Sequence, residues 1–157
     1  DYNKKPTGVH FISSLDADSY KVSQSRSGED PASVKDGDYS SYLLNVDHPL
    51  VLPVGVKVRF VITADDVIHS WGVPNLGWKT DAIPGIINDN WTQIDTPGTY
   101  RGQCVELCGR GHAYMPIVVK AVPKAEFEQW LAAQAPPPTT APVAATAAPA
   151  AAVATAP

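Results

Sequence analysis

This 157-residue chain contains no run of about 18 apolar residues, so the sequence as it stands holds no bilayer-crossing helix. Its longest apolar region, 54–64, is broken by Gly55, Lys57 and Arg59. There is no initiator methionine, and no apolar core of a signal peptide follows Asp1, Tyr2, Asn3, Lys4, Lys5 and Pro6. A chain opening this way is expected to have been cut from a longer parent, with any membrane anchor upstream. Cationic side chains are also scarce. Twelve Lys and Arg against sixteen Asp and Glu leave a net charge of −4, with a pI near 5.4. Nucleic acid is thereby excluded as a partner, because phosphate binding needs clustered cations. No internal repeat is present. Cysteine and methionine are rarer still, at two and one.

Enough apolar sequence remains for a core, at 44% of residues, and the 18% that are charged are too few for a disordered chain. The length fits one domain and a tail, with the domain expected over 1–134. Residues 135–157 contain only Ala, Pro, Thr and Val. Repeated prolines there forbid a continuous helix, so a semi-extended, disordered linker leading to a further module is expected. Just before it, Pro123 suits a first helical turn, and Phe127, Trp130 and Leu131 share one face. One short C-terminal helix is therefore expected over 123–134. Residues 16–38 are polar and read as a surface loop.

Elsewhere the pattern is β-like, with candidate strands at 42–46, 56–64, 68–73, 91–95, 99–103 and 117–122, separated by Gly, Pro, Asn or Asp. The alternation at the start of 56–64 gives way to continuous apolar character, as for a strand entering a core. Short strands and frequent turns imply an all-β Greek-key barrel or sandwich.

One segment carries chemistry. Cys104, Cys108, His112 and Met115 fall within twelve positions, flanked by Gly102, Gly109 and Gly111, whose conformational freedom allows a tight loop. Thiolate, imidazole and thioether together form a donor set for copper, whereas magnesium and calcium take oxygen ligands. A disulfide is the ordinary fate of two cysteines outside the cytoplasm, but it has no use for His112 and Met115. Structural zinc sites seldom use methionine, and a cysteine–histidine nucleophile needs neither a second thiol nor a thioether. Copper accounts for all four. A mononuclear blue site takes a single cysteine; here two thiolates could bridge two ions. Either arrangement needs another imidazole, from His10, His48 or His69. The first two lie in polar contexts, and His69 lies at the end of a strand run.

Three motifs, His69-Ser70-Trp71, then 77–85 (GWKTDAIPG), then 98–116, resemble subunit II of haem–copper cytochrome c oxidase, specifically its soluble dicopper (CuA) domain. The resemblance covers about 42–130 and is nearest to bacterial members. It implies a cupredoxin-like fold. Carried over by position, it implies that Cys104 and Cys108 bridge two coppers and that His69 and His112 each bind one. It also implies that Met115 and the backbone carbonyl of Glu106 are weak axial ligands. The Glu106 carboxylate would help hold a magnesium or manganese ion at the junction with subunit I. Cytochrome c, sometimes fused beyond an Ala/Pro-rich linker, would donate electrons, and haem in subunit I would receive them. The location implied is the periplasmic face of the bacterial cytoplasmic membrane.

The chain departs from the pattern at Ile86, where the family has arginine. It also departs in having no tryptophan before Trp71, so the tryptophan at which electrons enter is expected upstream of Asp1. Trp71 is expected to pack around the site, and Trp78 to pack or to face a partner. The weighed alternatives are a CuA domain of nitrous-oxide reductase and a copper-delivery protein.

Overall fold

The computed structural model describes residues 9, 11–24 and 41–134. His10, most of the 16–38 segment and the 135–157 tail, about which the sequence raised expectations, lie outside the described residues. No helix among the described residues is long and apolar enough to cross a membrane.

Among the described residues, seven strands form the frame: β1 Leu50–Pro53, β2 Lys57–Ile62, β3 His69–Val73, β4 Trp78–Ala82, β5 Asn88–Gln93, β6 Gly98–Cys104 and β7 Pro116–Val122. Five make one sheet in the order β1-β7-β6-β3-β4, and β2 pairs with β5 in a second, two-stranded sheet. The β1–β7 pair is parallel and the others are antiparallel. The core between them is built on Leu52, Val73, Ile94, Val119 and Ala121. Phe60, Trp71 and Trp78 fill one end. The two indoles stack 4.8 Å apart, and each ring centroid lies about 5 Å from that of Phe60.

Local chemistry explains where this departs from the sequence expectation. In β2 the alternation persists to Ile62, with Lys57, Arg59 and Val61 outward, because only one face of the small sheet meets the core. The run 42–46 is no strand: Leu43 adopts a left-handed φ of 58°, and Leu44 N–H donates to Ser41 O to close a turn. Arg101 Nη1 holds that turn by donating to Leu44 O and Asn45 Oδ1, 2.6 Å each. The polar segment 16–38 opens with a helix, α1 (Ala17–Gln24), rather than a loop. Asp16 caps it, its Oδ1 accepting from the Asp18 and Ser19 amides at 3.1 and 2.9 Å. The C-terminal helix, α2 (Lys124–Gln134), follows Pro123 as expected and lies against β1. Phe127 stacks on Trp130, which meets the edge of Phe11, but Leu131 stays exposed.

Strands β3 and β6 approach each other closely where they will carry the site. A Cβ on Gly102 would strike the Gly72 carbonyl oxygen and lie 2.8 Å from Val73 Cα, so only glycine fits there.

Candidate metal centre

His69 is the first residue of β3 and Cys104 the last of β6, and Trp71 pairs with Cys104 across the two strands. The loop 105–115 leaves β6 and returns into β7. Both of its ends are tied down: Val105 N–H donates to Ser70 O, and Cys104 N–H to Met115 O, at 3.0 Å each. Within it, Gly109 takes a φ of 124°, which favours glycine, and His112 N–H donates to Gly109 O. A 3-10 turn over His112–Tyr114 then aims the His112 ring back at Cys108.

These constraints bring together His69, Cys104, Cys108, His112 and Met115. The two sulfurs are 3.9 Å apart. His69 Nδ1 lies 3.9 Å from Cys104 Sγ, and His112 Nδ1 lies 3.5 Å from Cys108 Sγ. Met115 Sδ is 3.5 Å from Cys108 Sγ, and the Glu106 carbonyl oxygen is 3.3 Å from Cys104 Sγ. The donor atoms of His69, Cys104 and Cys108 all lie within 4.8 Å of one another. His48 does not join them, since its exposed ring pairs with Asp47 at 3.2 Å. Glu106 is exposed. Trp71 is half-buried against the core, and Trp78, also half-buried, stacks on it.

The separation of the sulfurs tests the fit to a metal. It is far too long for a disulfide, about 2.05 Å. It is also less than twice a thiolate–metal bond of about 2.3 Å, so one ion can touch both sulfurs. With an imidazole nitrogen beside each sulfur, the donors suit soft transition metals and not magnesium or calcium.

Burial pushes the Cys104 thiol up. Hydrogen bonds with the backbone at Ser70 and Glu106 and with the two imidazoles outweigh burial and bring it down from 9.0 to about 7. Cys108 is pushed up, first by desolvation and then by Cys104 beside it. One thiolate is therefore available near neutrality. In the metal-free, reduced protein, alkylation of Cys104 is expected to show a half-maximal rate near pH 7, about two units below an ordinary thiol. Peptide-resolved mass spectrometry after timed alkylation checks this, and a midpoint near 9 for both cysteines would contradict it.

Sequence reasoning passed over Asp66. Its Oδ1 lies 2.8 Å from His69 Nε2, which raises the imidazole pKa and lowers that of the carboxylate. The available signal was an acid three residues ahead of a strand-end histidine, which by itself looks like any loop carboxylate.

The sequence profile of the family "Cytochrome C oxidase subunit II, periplasmic domain" matches residues 9–122. The chain belongs to this family. The periplasmic domain of subunit II of cytochrome oxidase (CoxB) of Bradyrhizobium japonicum has the same fold, with a TM-score of 0.63 at 35% identity. That match covers 80% of this chain and 77% of the other. A second solved structure is similar with a TM-score of 0.53 at 41% identity, over 62% of this chain and 68% of that one. It is a mixed disulfide intermediate between the thioredoxin-like protein TlpAs and a cytochrome c oxidase subunit II. Among curated proteins, the probable cytochrome c oxidase subunit 2 of Rickettsia bellii is 51% identical over 92 residues, which is 59% of this chain. That of Rickettsia felis is 52% identical over 92 residues. The chain spans about a third of the length of these relatives, 34% and 29% respectively. This subunit II domain thus has a cupredoxin-like fold and a periplasmic family assignment. It carries candidate copper ligands in His69, Cys104 and Cys108.

Proposed function

We propose that this subunit II domain holds a dinuclear copper (CuA) centre and is the electron-receiving part of a cytochrome c oxidase. In this reading it takes electrons from cytochrome c and hands them to haem in subunit I. Cys104 and Cys108, His69 and His112 through Nδ1, Met115 and the Glu106 carbonyl are the residues that would hold the copper. One observation carries the reading: two thiol sulfurs stand 3.9 Å apart, with an imidazole nitrogen beside each. A mononuclear blue site would leave one sulfur unused.

Bound copper supplies a one-electron couple. The chain's own residues do the rest. The loop is fixed to β3 at one end and to β6 at the other, so the donors change position little with oxidation state, and a small rearrangement means a low barrier to electron transfer. Cys104 is 5% exposed and pairs with Trp71 across β3 and β6, which limits water at that sulfur. The Glu106 carboxylate is free to share a magnesium or manganese ion with subunit I in the full complex. The family membership supports an anchored parent on the periplasmic face of the membrane. The solved mixed disulfide of a relative supports a thioredoxin-type reductant for this cysteine pair.

Stopped-flow mixing of the copper-loaded, oxidised chain with reduced cytochrome c tests the reading. Rapid oxidation of the cytochrome, matched by bleaching of the copper absorption, is the expected result. A loaded protein that leaves the cytochrome reduced for minutes would sink it.

A further inference from the structure

We propose that Asp66 is a positioning residue for the metal centre: by accepting the Nε2–H of His69, it holds that ring with Nδ1 unprotonated and turned toward Cys104. The inference rests on the copper reading above and extends it to a residue that is not itself a ligand.

A neutral imidazole carries its proton on one nitrogen, and only the other can donate to a metal. His69 presents Nδ1 to the sulfur pair, 3.9 Å from Cys104 Sγ, and Nε2 to Asp66 Oδ1 at 2.8 Å. A carboxylate can only accept, so the proton must sit on Nε2 and the lone pair on Nδ1. Without that partner, the two tautomers of an imidazole are closely balanced, and part of the population would present an N–H to the metal.

The Asp66 side chain is 72% exposed, whereas that of His69 is 19% exposed. Asp66 therefore contributes little to the core, and its contact with the ring is what sets it apart from neighbouring acids. Asp65, one residue away, makes no hydrogen bond or ion pair among the described residues. The other imidazole lacks such support: no carboxylate lies within ion-pair distance of His112 among the described residues. The two halves of the centre therefore differ. The His69 half has an anion behind its ligand, which increases that nitrogen's donor strength, and the His112 half does not.

The test compares the chain with Asp66→Ala, Asp66→Asn and Asp65→Asn. The last changes the charge one position away without touching the ring. The first readout needs no metal: long-range 1H–15N NMR of the reduced, metal-free chain at pH 8 reports the His69 tautomer. The wild type and D65N are expected to carry the proton on Nε2 by at least about 10 to 1, and D66A to lose at least several-fold of that preference. D66N offers a neutral amide oxygen to the same N–H and is expected to keep it. The second readout is competition for Cu(I) against a chromogenic chelator. D66A is expected to bind about 10- to 100-fold more weakly than the wild type. D66N is expected to lose less than tenfold, and D65N less than twofold. If D66A stays within twofold of D65N in either the tautomer ratio or the affinity, the proposal is overturned. A wild-type chain that takes up fewer than two coppers would count against the dinuclear reading instead, and the metal-free tautomer measurement would still decide the role of Asp66.

Discussion

Replacing Cys108 with serine is expected to reduce copper uptake from two ions per chain to one and to abolish any signal shared between two metals. The remaining thiol, the two imidazoles and the Met115 thioether make up the donor set of a single blue copper. The change should therefore be one of kind as well as degree, visible in the EPR spectrum as four copper lines and in the absorption as an intense blue band. Cys104→Ser should have the same metal stoichiometry and a larger effect on stability. Cys104 is buried at the end of β6, while Cys108 is half-exposed in the loop. A serine hydroxyl at the buried position loses the sulfur's contacts and must find a hydrogen-bond partner there. Copper analysis with EPR on each loaded variant checks both expectations. Two coppers retained in either variant would mean that the sulfurs are not both bridges.

The second large effect concerns the metal-free state. The two sulfurs stand 3.9 Å apart, and a disulfide needs about 2.05 Å, so the loop must close by roughly 2 Å to form one. The four-residue spacing and Gly109 make that closure feasible. With one thiol titrating near neutrality, attack on an oxidised partner sulfur is open at physiological pH. Air oxidation of the metal-free chain is therefore expected to link Cys104 to Cys108, with a mass loss of two hydrogens, and to abolish copper uptake. Addition of a thiol reductant should restore it fully. Thiol titration and copper binding before and after reduction check this. Two thiols that stay free indefinitely under air would show that the loop holds the sulfurs apart.

Much of the centre was legible because its donors are concentrated. Cys104, Cys108, His112 and Met115 lie in one loop, and no other use of cysteine, imidazole and thioether at that spacing accounts for all of them. The fourth strong donor was not legible from spacing alone. His69 differs from His10 and His48 in lying at the end of a strand run, which by itself marks a structural histidine as readily as a ligand, and what brings it to the thiols is the β3–β6 pairing that sets the start of one strand beside the end of the other. Only the family resemblance pointed to it beforehand. Asp66 was hidden for a related reason, because its role depends on which ring edge faces the loop.

The fold shows the same division. Strands with a clear apolar face, such as β7, were readable within a residue. Strand β1 was not, since it follows Pro49, ends on Pro53 and takes its identity from parallel pairing with β7, distant in sequence. Helix α1 has no apolar periodicity to announce it. It is set by the Asp16 cap and by Ser19, a buried hydroxyl that accepts from the Leu43 amide. The 42–46 run looked extended because its composition is β-favouring, and the left-handed Leu43 overrides that propensity through the contacts of Arg101.

The most direct test of the account is to load the reduced chain with copper, remove the excess and measure copper per chain alongside the EPR spectrum. Two ions per chain, a purple colour and a multi-line signal from one electron spread over both coppers are the predicted result. One ion per chain with a four-line spectrum would contradict it.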